Sequence, residues 1–217
     1  MESRREIRAV IFDLDGTLAD TFPLIVRAWN AAVSPHSGRS YSDAEVISRF
    51  GIPDPQMIRR ELPGAAGDAA DSVYHACYER EHANLAKKFD GVDEMLAALK
   101  EKGIKLGLMT GKGHRSARIT VNALGWSKAF DAILTGEDVT HQKPDPQGPL
   151  LAAKQLGVDT GHCAFVGDSP ADIGAGKNAG MLTVAAGWHP VYLDEVRRLK
   201  PDAWAEHPMD LLKLLLK

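Results

Sequence analysis

Five short, nearly continuous apolar runs constrain this chain most: Arg8 to Phe12, Ile104 to Met109, Ala132 to Leu134, Cys163 to Val166 and Leu182 to Ala185. Runs of this length without polar alternation predict strands buried on both faces. Helical patterns separate the later runs. Val92, Met95, Leu96 and Leu99 recur at i, i+3, i+4 and i+7, and Leu150, Leu151 and Leu156 point to a second helix. Gly103 and Gly157 follow these two segments, where a C-terminal helix cap belongs. Strands alternating with helix-length crossovers predict an α/β fold, a doubly wound parallel sheet covered on both faces.

The first crossover is different. About 90 residues lie between Phe12 and Ile104, far more than one helix needs. Phe22 to Lys88 reads as helical, with Ala28, Trp29, Ala32 and Val33 on one face and a long helix over Ala69 to Lys88 whose apolar side carries Val73, Ala76, Cys77 and Tyr78. Turn signals stand at Ser34-Pro35, Gly51-Ile52-Pro53 and Pro63-Gly64. This predicts a core of residues 1–19 and 89–217 with a helical cap, 20–88, inserted after the first strand. Hinges are expected near Leu18 to Asp20 and Lys88 to Gly91. The leucine-rich end, Leu211 to Leu216, is expected to dock a terminal helix on the core.

Composition narrows the partners. A net charge of −3 lacks the basic surplus that non-specific nucleic-acid binding uses, so no nucleic acid is expected. No apolar run approaches the length of a membrane span, and the charged start followed by a short apolar run does not read as a secretory signal. Cys77 and Cys163 show neither metal-site nor disulfide spacing. These features predict a soluble cytoplasmic protein.

Open α/β sheets bind ligands at the carboxyl ends of their strands. Asp13 and Asp15 follow the first strand, Thr110 and Gly111 the second, Lys143 the third after a loop, and Asp168 and Asp172 the fourth. Two carboxylates about 5 Å apart repel by about 3 kcal/mol at an effective dielectric of about 20. A divalent cation removes that repulsion, and oxygen ligands in an open site suit Mg²⁺ shared with substrate phosphate. Lysine adds positive charge, and the hydroxyl and backbone N–H groups can hold phosphate oxygens. This is the inventory of phosphoryl transfer. Asp13, where the strand ends, is placed as nucleophile, and Asp15, two residues on, as acid and base. Asp13 and Asp168 are expected to hold the metal, with Asp172 a further ligand or a partner through water. Thr110, Gly111, Lys143 and the cap residue Arg49 are the candidate substrate contacts. Arg59 and Arg60 read as a solvated helix face, and so does His141 as a loop residue. Gly174 to Gly180 lacks the phosphate-loop pattern and reads as close helix packing.

Over nearly its whole length the sequence resembles the haloacid dehalogenase superfamily. Asp13-Leu14-Asp15-Gly16-Thr17-Leu18 is similar to its first motif, Thr110 to its second, Lys143 to its third and Gly167-Asp168-Ser169-Pro170-Ala171-Asp172 to its fourth. The resemblance implies strand order 3-2-1-4-5, nucleophile and acid/base roles for Asp13 and Asp15, and a Mg²⁺ ligand from the Asp15 backbone carbonyl. It also implies a helical cap like that of the phosphoglycolate phosphatase and β-phosphoglucomutase branch. Two departures stand out. Gly111 replaces the frequent asparagine, and Ile25 stands where the mutase branch usually has a histidine. A phosphatase of phosphoglycolate phosphatase type is therefore the expected activity. A sugar phosphomutase and an inorganic pyrophosphatase are the alternatives.

Overall fold

The structure is a computed structural model that describes residues 6–216; most of the charged N-terminal stretch, 1–5, and Lys217 lie outside it. The chain opens with β1 (Ala9–Phe12), then a two-residue strand β2 (Ala19–Asp20). Four helices follow: α1 (Phe22–Ser37), α2 (Asp43–Ile47), α3 (Asp54–Glu61) and α4 (Ala65–Leu85). A second short strand, β3 (Lys87–Lys88), pairs antiparallel with β2, so the chain leaves for the helices and returns side by side. Next come α5 (Val92–Glu101), β4 (Lys105–Met109), α6 (His114–Ala123), β5 (Ala132–Leu134) and α7 (Gln147–Leu156). The chain ends with β6 (Cys163–Gly167), α8 (Pro170–Asn178), β7 (Leu182–Ala186), α9 (Leu193–Arg198), β8 (Ala203–Ala205) and α10 (Asp210–Leu215).

The main sheet is parallel throughout, in the order β5-β4-β1-β6-β7-β8. Its first five places reproduce the expected 3-2-1-4-5 order. The sixth, β8, was not anticipated, because three residues, two of them partly exposed, carry too little pattern to register as a strand. β1 sits in the middle, with Phe12 level with Leu108 on one side and Val166 on the other. Its side chains alternate between two cores: Val10 and Phe12 join the α5 side with Met95 and Leu99, and Ala9 and Ile11 join the α7 side with Ala152 and Leu156. Leu211 and Leu215 of α10 are buried in the first of these cores, as the leucine-rich ending predicts.

Helices α1 to α4 gather a separate cluster around Trp29, Tyr74 and Tyr78. Two expectations here need correction. Val73 is 46% exposed and Ala76 is exposed, because α4 turns Tyr74, His75, Cys77, Tyr78 and His82 inward instead. Two histidines on the buried face blur the apolar period that the sequence reading relied on. α1 also runs through Ser34-Pro35 to Gly38 (φ 70°); Pro35 lies in the last turn, so the i→i−4 hydrogen bond it removes is close to the end of the helix. In α7, Leu150 is 43% exposed while Leu156 is buried. Among the described residues no helix is long and apolar enough to cross a membrane.

Candidate active site

The site forms where β1, β4 and β6 end. The Asp13 N–H donates to the Val166 carbonyl at 2.9 Å, extending the ladder one residue past β1. The chain then turns on Gly16 (φ 80°), a left-handed conformation that favours glycine. Leu14 is buried in the core between two aspartates that both line the cavity above the sheet. A Cβ on Gly16 would lie 2.1 Å from Asp168 Oδ2, so this glycine lets the β6 loop approach the first turn.

Lys143 reaches in from the loop after β5. Its Nζ lies 2.8 Å from Asp13 Oδ1 and 2.5 Å from Asp172 Oδ1, and it donates to the Met109 carbonyl at 3.4 Å. Burial pulls the ammonium down, but the two carboxylates outweigh it and hold the pKa above its ordinary value. Burial pushes the Asp13 carboxyl well up; Lys143 opposes this, and Asp172, Asp15 and Asp168 add to it. Asp168 is raised too, first by burial, against the pull of His189 and Thr17.

Oxygens of Asp13, Asp168 and Asp172 all lie within 4.8 Å of one another. Thr17 Oγ1 donates to Asp168 Oδ1 at 2.8 Å, whereas Asp168 Oδ2 is buried without a hydrogen-bond partner. Crowded carboxylates, with Asp13 and Asp168 raised in pKa and an oxygen of Asp168 left without a hydrogen bond, fit a divalent cation. Asp172 is less available than the other two. Its Oδ1 holds Lys143, and its Oδ2 accepts from the Ser169 N–H and hydroxyl in the capping box that starts α8.

Thr110 is fully buried, and its Oγ1 accepts from the Lys112 N–H at 3.2 Å. Gly111 lines the cavity. Asp15 accepts from Thr21 Oγ1, and Lys112 Nζ lies 3.1 Å from the same carboxylate. Arg49 does not line the cavity. It pairs with Glu61 at 3.2 Å and lies over the Trp29 and Tyr41 rings, so it braces the helical segment away from the cavity where a substrate contact was expected of it. His141 is exposed, as a loop residue should be. A Cβ on Gly176 would lie 3.0 Å from Phe165 Cβ, which accounts for the glycine-rich stretch as close packing of α8 on β6.

Three residues escaped the sequence reading. Lys112 is buried in the cavity wall, over the Tyr78 ring; its position just past β4, next to Gly111, was the available signal. His189 stands 3.5 Å from Asp168 Oδ2 and meets Phe22 edge-on at 4.4 Å. Its position just past the fifth predicted strand was the available signal. Asp54, hidden between two prolines, opens α3 and crosses to the core. It accepts from the Gly113 N–H at 2.9 Å, Ser116 Oγ at 2.7 Å and His75 Nε2 at 3.1 Å. These partners outweigh the rise from burial and hold its carboxyl below its ordinary pKa.

The cavity beneath the helical segment measures about 290 Å³. It joins a charged floor, Asp13, Asp15, Asp168 and Lys143, to an apolar wall that includes Ile25, Ile52 and Tyr192. Such a site can bind a phosphate on the floor and an organic group against the wall.

Known proteins resemble this chain in sequence and in fold. Residues 10–186 match the haloacid dehalogenase-like hydrolase family. A phosphoglycolate phosphatase of Xanthomonas campestris pv. campestris is 33% identical over 208 residues, 94% of each chain. The pyrophosphatase PpaX of Bacillus velezensis is 31% identical over 213 residues, 97% of each chain. The crystal structure of a predicted phosphoglycolate phosphatase from Haemophilus somnus superposes with a TM-score of 0.86 over 96% of this chain and 97% of that one, at 24% identity, a likeness of fold.

Proposed function

This chain belongs to the haloacid dehalogenase-like hydrolases and is a phosphatase, and from that premise we propose that it is Mg²⁺-dependent and releases phosphate from a small phosphorylated metabolite through an aspartyl-phosphate on Asp13. The observation that carries this reading is the setting of Asp13 at the end of the central strand, between Lys143 and the orphaned oxygen of Asp168.

An Asp13 carboxylate oxygen attacks phosphorus, and the bond from phosphorus to the leaving oxygen breaks. Asp15 gives that oxygen its proton. Asp15 then takes a proton from water as the water oxygen attacks the aspartyl-phosphate, and phosphate departs with Asp13 restored. Lys143 offsets charge at Asp13 and on the phosphoryl oxygens, and the Thr110 hydroxyl and the backbone at Gly111 bind those oxygens. Asp13, Asp168 and the Asp15 carbonyl would hold Mg²⁺, with Asp172 orienting Lys143 beside them. The ion supplies positive charge to the phosphoryl oxygens.

The reaction is of phosphoglycolate phosphatase type, and the PpaX relative makes pyrophosphate hydrolysis the second reading. Ile25 in the cavity wall offers no group to move a proton where the mutase branch usually has a histidine, which favours hydrolysis over phosphomutation. The same proposal places the protein in the cytoplasm, as a monomer or homodimer that does not engage nucleic acid. Asp13→Asn is expected to lower kcat for p-nitrophenyl phosphate at saturating Mg²⁺ by at least about 10³-fold. Undiminished turnover would overturn the mechanism.

A further inference from the structure

The cavity also carries information about the leaving group. Four carboxylates line it, Asp13, Asp15, Asp54 and Asp168, against two ammonium groups, Lys112 and Lys143. Both ammonium groups are already engaged. Lys143 pairs with Asp13 and Asp172, and Lys112 with Asp15. With all four carboxylates ionised, one divalent cation brings the lining to neutrality, and with Asp15 protonated for its acid role to a single positive charge, less than the charge of a transferred phosphoryl dianion; that cation and Lys143 are both needed there.

The helical segment supplies no further positive charge. Among the described residues no arginine lines the cavity. Arg49 pairs with Glu61 and Arg59 with Asp68, both outside it, and Arg60 is exposed. The charge the segment does bring is negative: Asp54, held by Gly113, Ser116 and His75. The rest of its contribution is mostly apolar, from Phe22, Ile25, Phe50, Ile52 and Met57, with Tyr74 as a neutral polar side chain and Tyr192 of the core alongside. A second anionic group on the substrate would be stripped of water against this wall, where the helical segment places no cation to meet it, which disfavours binding.

We propose that the favoured substrates are phosphomonoesters whose leaving group is uncharged and offers apolar surface, and that the helical segment selects against a second negative charge, whether carboxylate or phosphate. This rests on the phosphatase reading above and narrows the choice it leaves among substrates.

The test uses the full chain with saturating Mg²⁺ and three probes: n-butyl phosphate, phosphoglycolate and inorganic pyrophosphate. The expected kcat/KM for n-butyl phosphate is at least about tenfold above that for phosphoglycolate, a primary-alkyl ester that carries the extra carboxylate, and above that for pyrophosphate. Either anion turned over as fast as n-butyl phosphate would overturn the charge rule while leaving the phosphatase reading intact. No phosphate release from any of the three, nor from p-nitrophenyl phosphate, would overturn both. Ile52 is only half-buried, so Ile52→Arg adds a cation to the wall with little disturbance of packing. It should shift the ratio of phosphoglycolate to n-butyl phosphate by about tenfold toward the anion. Met57→Lys is the second variant should the first fail to fold, and an unchanged ratio in a folded variant counts against the proposal.

Discussion

At the scale of single residues, the site depends on how close its carboxylates are brought. Asp13 at a strand end is only an acid; Lys143 at 2.8 Å and Asp168, whose Oδ2 has no hydrogen bond, make it part of a charged constellation. Gly16 permits that approach. In Gly16→Ala, a left-handed residue with a side chain costs about 1–2 kcal/mol, and the new Cβ would also displace Asp168, 2.1 Å away. The variant should unfold at lower temperature and lose the rise in Tm that Mg²⁺ gives the parent; a preserved Mg²⁺ shift would count against Asp168 as a ligand. Asp13, Asp15, Lys143 and Asp168 were legible in the sequence because each follows a strand or its loop, where topology alone sends them to one edge. Lys112 and Asp54 were not, because a buried charge reads the same as a solvated one until its partners are known. Arg49 failed for the converse reason: Glu61 and two aromatic rings claim it.

At the scale of elements, α3 and α4 meet the core through polar contacts that their periodicity did not reveal. His75 of α4 joins Asp54 at the start of α3, next to the start of α6. Burial pulls the His75 pKa down, but Asp54 and the Asp71 backbone and carboxylate outweigh it and raise it above 6.5. Other groups facing the pair are Lys112, Ser116 and Tyr74. A raised histidine contributes stability in full below its unfolded pKa, and this is lost as pH rises through the folded value. Asp54, depressed below 3.8, contributes stability above that value, and this is lost as pH falls through its folded pKa. The contact is therefore strongest between about pH 4 and 6.5. The urea midpoint of the parent should fall more steeply from pH 6 to pH 8 than that of His75→Gln; parallel curves would exclude the linkage. The short β8 and the inward face of α4 were missed for one physical reason: three residues or two buried histidines carry little hydrophobic period.

At the scale of the whole molecule, two chain crossings and a buried polar seam join the helical segment to the sheet. The crossings are β2 and β3, paired at Ala19 with Lys88 and Asp20 with Lys87; β2 lies in the range Leu18 to Asp20, and β3 meets the range Lys88 to Gly91 only at Lys88. The seam adds Tyr78 and His82 to Thr120, at 2.8 and 3.2 Å, beside the contacts of Asp54. Few covalent links and many breakable hydrogen bonds suit a segment that opens and closes. Mg²⁺ with a phosphate mimic should lower the radius of gyration measured by solution scattering; no change in compactness would argue against closure. The sequence by itself determined the doubly wound sheet, the helical insertion and the phosphoryl-transfer edge, because buried strands and strand-end residues are local patterns. Only the tertiary structure decided which charges face the cavity and which are spent elsewhere. Lys112 and Asp54 turn inward, the cap arginines turn away, and an apolar wall closes the site, because these outcomes depend on partners distant in the chain that no local spacing encodes.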